Sequence, residues 1–174
     1  MISGAAVSYT HLDVYKRQVL TSVPEATPDD VLRAVEAARR AQPGWQALGI
    51  AGRAACFRRL GELLVENRER LALLDALDCG NPLRTMRIDV DICLQYLDAY
   101  PGMAWGLHGR VFDVSKTGLH YTKTRPYGVT GRILAFNHPM MFAVTRPLPA
   151  LITGNTVVMK PAPQTPLSLS LIHI

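Results

Sequence analysis

No apolar run in the 174 residues approaches the ~18 needed to cross a bilayer as a helix, and no basic start leads into an apolar core near the first residue. The sequence therefore reads as a non-membrane, non-secreted, cytoplasmic protein. Cysteine is scarce, with 3 residues, and the odd count in a chain this long excludes a disulfide framework and suits a reducing compartment. His11, His108, His120, His138 and His173 are scattered without metal-ligand spacing, so no metal site is expected. Internal repeats, low-complexity tracts, a G-x-G-x-x-G and a Walker A are all missing. Nor is there a large excess of one charge: 19 Lys plus Arg stand against 14 Asp plus Glu, for a net charge of +5. Arg33, Arg39, Arg40, Arg53, Arg58, Arg59, Arg68 and Arg70 are interleaved with Asp29, Asp30, Glu36, Glu62, Glu66 and Glu69. That pattern reads as solvated helix faces and not as a nucleic-acid surface, which needs like-signed clustering with aromatics between. What is plentiful is apolar mass, 48% of residues, enough for the core of one domain.

The two ends stand apart from this pattern. Asp13-Val14-Tyr15-Lys16-Arg17-Gln18 can be encoded by a string whose reverse complement encodes Leu169-Ser170-Leu171-Ile172-His173-Ile174, the last six residues. Such an inverted match resembles a transposon adaptor translated at both ends of a gene segment. Residues 1–18 and 169–174 are therefore expected to be adaptor-like tails, with residues 19–168 as the native portion.

Within that portion the first half reads as helices, spanning 27–103. Thr27-Pro28-Asp29-Asp30 combines a hydroxyl N-cap, proline at the first helical position and acids in the first turn. Val31, Val35 and Ala38 then recur at helical spacing until Pro43-Gly44 is expected to end the helix. Phe57, Leu60 and Leu64 share a face of a second helix. Asn67 is expected to cap a third, which carries Leu71, Leu74 and Leu77 and stops at Gly80-Asn81-Pro82. A fourth, from about Arg84 to Met103, has Ile88, Ile92, Tyr96 and Ala99 in register. A hairpin follows within 107–125, its strands at Val111–Val114 and Leu119–Thr124. Residues 128–168 then give a buried strand at Val129–Phe136, a helix from Pro139 to about Ile152, and a second buried strand at Thr156–Met159, making a βαβ unit. Because two strands do not complete a parallel sheet, Ile133 and Val157 are expected near unpaired edges, with poor solubility as the result.

Asn137 and Lys160 follow the carboxyl ends of these strands, the edge at which open α/β sheets bind ligands. A neutral carboxamide there can donate to a developing oxyanion without titrating, or can simply cap the helix opened by Pro139. Lys160 can donate to ribose hydroxyls or phosphates, or can be a solvated strand-end cation. Position alone leaves both choices open.

The stretch ILAFNHPMMFAVTRPLPALITGNTVVMKPAPQTPLS closely resembles the core of the aldehyde dehydrogenase superfamily, and ATPDDVLRAVEAARRAQPGWQAL, RLGELLVENRERLALLDALDCGNPL and GLHGRVF extend the likeness upstream. The resemblance implies an α/β fold: N-terminal helices, a β-hairpin arm used in oligomerisation, and the first βαβ of a truncated Rossmann-like NAD(P)-binding domain. It implies an enzyme that oxidises a small-molecule aldehyde to a carboxylic acid, with NAD or NADP as cofactor and a homodimeric or homotetrameric parent. Asn137 then matches the asparagine that stabilises the oxyanion of the cysteine thiohemiacetal. Lys160 matches the lysine on the adenosine ribose, with Leu134, Ala135 and Phe136 lining the cofactor cleft and Pro161, Ala162 and Pro163 flanking the ribose. Pro163 stands where many NAD-preferring members have glutamate, which leaves NAD against NADP open. The family's nucleophilic cysteine and general-base glutamate lie further downstream than this chain reaches, so Cys56, Cys79 and Cys93 are expected to be structural and the chain inactive alone. His138 is expected to line the cleft. The competing reading is a non-enzymatic helical interaction module, favoured by the amphipathic first hundred residues and opposed by Gly128–Pro166.

Overall fold

The computed structural model describes residues 8–12 and 18–173, with side chains over 18–170. Two short strands open it. β1 (Ser8–Leu12) pairs antiparallel with β2 (Val19–Pro24), so part of the expected first tail forms a backbone ladder with the native portion. Residues 13–17, the bulk of the adaptor-like hexapeptide, lie outside the described residues.

Helix α1 (Pro28–Ala47) starts at Thr27 with a reciprocal cap. The Asp30 amide donates to Thr27 Oγ1 at 3.3 Å, while the Thr27 amide donates to Asp30 Oδ2 at 2.8 Å. Contrary to expectation, α1 continues through Pro43. The helix is held from outside on both sides of the proline: Gln42 Nε2 donates to the Gly154 carbonyl at 3.1 Å and Trp45 Nε1 to the Leu151 carbonyl at 2.8 Å. These long-range bonds offset the one a proline removes from the ladder.

Helices α2 (Gly49–Glu66), α3 (Arg68–Cys79) and α4 (Leu83–Ala104) build the core. Phe57 and Leu64 of α2, Leu71 of α3 and Val90, Cys93 and Leu97 of α4 are all buried in one cluster. Asn67 does not cap α3 with its side chain; its Nδ2 donates back to the Leu63 carbonyl at 2.9 Å and closes α2 instead. Gly80 ends α3 at φ 78°, the left-handed conformation that glycine adopts without a Cβ clash. In α4 the buried face is Met86, Val90, Cys93 and Leu97, whereas Ile88 and Tyr96 of the expected stripe are exposed. Both faces of α4 are apolar, so periodicity could not choose between them, and the buried one carries an aspartate that disguised it.

The hairpin β3 (Val111–Ser115) and β4 (Gly118–Tyr121) is exposed along its whole length. β5 (Val129–Ile133) and β6 (Thr156–Lys160) pair in parallel, from Val129 opposite Thr156 to Ile133 opposite Lys160. α1 lies against this pair, with Thr156 Oγ1 donating to the Ala38 carbonyl at 3.0 Å. β5 is less buried than its sequence implies, and Ile133 is 84% exposed. The crossover is two helices, α5 (Pro139–Thr145) and α6 (Leu148–Ile152), not one. Pro147 lacks the amide that would continue the first into the second. Finally α7 (Leu167–His173) runs into the second expected tail and packs on α3 and α5.

Candidate functional site

The rim of the β5–β6 pair is set by register. Because the strands are parallel and Ile133 sits opposite Lys160, both chains leave the sheet at the same edge. The Leu134 amide donates to the Lys160 carbonyl at 3.0 Å, extending the ladder by one step, and Thr165 Oγ1 donates to the Phe136 carbonyl at 3.2 Å. Segments 134–137 and 160–165 are thereby laced together. Leu134 and Ala162 are buried, so their side chains belong to the core and only their backbone faces the rim. Ala135, Phe136, Asn137, Lys160 and Pro163 are exposed and Pro161 is half-buried.

Asn137 is not a helix cap. His138 occupies that position, with no side-chain capping bond, and no described residue hydrogen-bonds to the Asn137 carboxamide. The amide is thus available to a ligand. The Lys160 ammonium touches the Pro161 carbonyl of its own backbone at 3.3 Å and makes no ion pair among the described residues. Amide and ammonium on one edge form a neutral donor and a cationic donor, suited respectively to a developing oxyanion and to hydroxyls or phosphates.

His138 has a partner that the sequence does not announce. Its Nδ1 lies 2.7 Å from Oδ2 of Asp89, a buried α4 carboxylate, so the ring ties the rim loop to the helical core. Burial pushes the Asp89 carboxyl up, and the His138 hydrogen bond pulls it part of the way back. Two further acids sit inside the protein. Asp75 Oδ2 accepts from the Met140 amide at 2.9 Å, Asp75 Oδ1 accepts from Ser168 Oγ, and Asp78 Oδ2 accepts from the Leu167 amide at 3.1 Å. Burial holds Asp75 up at about 6. Sequence reasoning passed over these acids, although their spacing from Leu71 (71, 75, 78) places them on the buried stripe of α3. Arg53, expected on a solvated face, is also buried; its Nε donates to the Ile152 carbonyl at 3.0 Å and its guanidinium to the Trp45 and Gln46 carbonyls. Other arginines of the series do pair with acids at the surface, including Arg59 with Glu62 and Arg68 with Asp91.

None of the three thiols is at the rim. Cys93 is buried against Met140 and burial pushes its thiol up to about 12; Cys79 is half-buried and also raised by burial; Cys56 is exposed on α2. A thiol held protonated is a poor nucleophile.

Helices followed by a parallel strand pair whose loops are laced together at one edge match the opening of an α/β domain of the dinucleotide-binding kind. The chain belongs to the aldehyde dehydrogenase family, whose model matches residues 3–173. It is 40% identical over 154 residues to the mitochondrial aldehyde dehydrogenase of Sus scrofa, a match covering 86% of this chain and 30% of that protein. Aldehyde dehydrogenase tropH of Talaromyces stipitatus is 38% identical, over 87% of this chain and 30% of its own length. Among solved structures, the NAD+ complex of aldehyde dehydrogenase from Bacillus cereus superposes with a TM-score of 0.89 at 36% identity, covering 95% of this chain and 34% of that one. The chain thus spans about 30% of the length of these curated relatives. No helix among the described residues is long and apolar enough to cross a membrane.

Proposed function

We propose that this chain is the amino-terminal part of a cytoplasmic, NAD- or NADP-dependent dehydrogenase that oxidises an aldehyde to a carboxylic acid. The observation that carries the reading is the parallel register of β5 and β6, which brings Asn137 and Lys160 out at one edge of the sheet. Lys160 would hold the adenosine ribose, flanked by Pro161, Ala162 and Pro163, and the strand end Leu134-Ala135-Phe136 would line the cleft. The fit rests on Lys160, an exposed cation with no ion-pair partner among the described residues, at a loop edge fixed by the Thr165–Phe136 bond. When bound, the dinucleotide supplies the hydride acceptor. Pro163 offers no carboxylate to ribose hydroxyls and no negative charge to repel a 2′-phosphate, which is compatible with either cofactor.

Asn137 would donate from Nδ2 to the oxygen of the carbonyl under attack, stabilising the charge that develops there. The carboxamide stays neutral at every working pH, so this contribution does not titrate. A nucleophilic cysteine and a general base would come from the rest of the parent enzyme, and the exposed β3–β4 hairpin would pair with another subunit of a homodimer or homotetramer. In the full-length enzyme, Asn137→Ala is expected to lower turnover by ~10²–10³ while cofactor binding persists. An unchanged kcat would remove the assigned role. A purely helical interaction module would account for the amphipathic helices but has no use for the parallel strand pair.

A further inference from the structure

Asn137 sits in an exposed loop, yet an oxyanion donor is effective only when its position is fixed before reaction. Within the rim, Thr165 Oγ1 holds the Phe136 carbonyl, one residue before Asn137, and leaves the peptide after Asn137 to other partners. Side chains of the α3–α4 hairpin reach across to three nearby positions there. Asn81, in the turn after Gly80, donates from Nδ2 to the main-chain carbonyl of Asn137 itself, at 2.6 Å. Asp89 holds the His138 ring and Asp75 holds the Met140 amide. Of the three, the Asn81 bond falls on the peptide that carries the proposed donor. It joins residues 56 positions apart, and it springs from a turn whose geometry is fixed by the left-handed Gly80.

We propose that Asn81 is a positioning residue for the oxyanion donor Asn137, anchoring its carbonyl so that the exposed carboxamide is held toward the rim. This rests on the function proposed above for Asn137. The chemistry is specific: the 137 carbonyl needs a hydrogen-bond donor, so aspartate, equal in size but an acceptor when ionised, cannot replace Asn81. Glutamine restores a donor on a longer arm.

The test is a double-mutant cycle in the full-length enzyme carrying this segment, with hydrogen–deuterium exchange over residues 134–141 as a second readout. Asn81→Ala and Asn81→Asp are each expected to lower kcat about 10-fold, as a misplaced catalytic group does, with KM for the cofactor unchanged and exchange over 134–141 accelerated. Asn81→Gln should recover part of kcat. In an Asn137→Ala background, Asn81→Ala should cost less than about two-fold more, because the group it positions is gone. Equal losses in both backgrounds, or an undiminished kcat in both Asn81→Ala and Asn81→Asp, overturn the proposal. Should Asn81→Ala fail to fold, the near-isosteric Asn81→Asp carries the cycle. If Asn137→Ala itself leaves kcat intact, the oxyanion reading fails, and the exchange data still report separately whether Asn81 holds the loop.

Discussion

A carboxylate inside a protein is costly unless something compensates it, and Asp75 shows how the compensation is divided. Its two oxygens accept from the Met140 amide and the Ser168 hydroxyl, but neither partner carries a charge, and Asp78 and Asp89 lie close enough to add repulsion. Desolvation therefore dominates, and the group titrates at about 6 in the folded chain against ~3.9 when unfolded. Since the folded state binds this proton more tightly, the contribution of Asp75 favours folding most below about pH 4 and is lost as pH rises through 6. Asp75→Asn keeps an acceptor for Met140 and removes the charge. Urea midpoints of the wild type should therefore fall relative to those of the asparagine variant between pH 4 and pH 7; a constant gap across that range would refute the burial argument. Arg53 makes the complementary point. Reading it as a surface cation failed because charge alone does not reveal that three main-chain carbonyls at helix ends await donors.

Element boundaries were legible wherever backbone chemistry marks them locally. Thr27 with Asp30, and Gly80 after Cys79, set a helix start and a helix stop that sequence alone identifies. Boundaries governed by distant partners were not legible. α1 survives Pro43 because Gln42 and Trp45 bind the turn after α6 and the last turn of α6 itself, more than a hundred residues on. The rim followed the same division: Asn137 and Lys160 stood out by motif and by strand end, whereas Asn81 and Asp89 matter only once the α3–α4 hairpin is laid beside them. β5 adds a liability of its own. Its last residue, Ile133, is 84% exposed, and neither side of the two-stranded parallel unit meets a third described strand. Unpaired strand groups beside exposed apolar side chains invite pairing between chains. Ile133→Lys should shift the purified chain toward smaller species in sedimentation velocity, and an unchanged distribution would place the sticky surface elsewhere.

Taken whole, the molecule would hold, on the function proposed above, only part of a reaction centre. Its thiols lie on α2, at the end of α3 and inside α4, none beside Asn137 and Lys160, so the purified chain is expected to give no aldehyde-dependent reduction of NAD or NADP. Measurable turnover would mean that one of these cysteines acts as a nucleophile after all. The clamp on α3 has a temporal consequence. Asp75 and Asp78 are made early by the ribosome, while Met140, Leu167 and Ser168, the groups they bind, emerge some sixty to ninety residues later. Until then those acids are hydrated and ionised at no cost. Closing such sequence-distant contacts is the slow part of assembly, so the helices should condense first and the β5–α5–α6–β6 half should dock on to them as a late step.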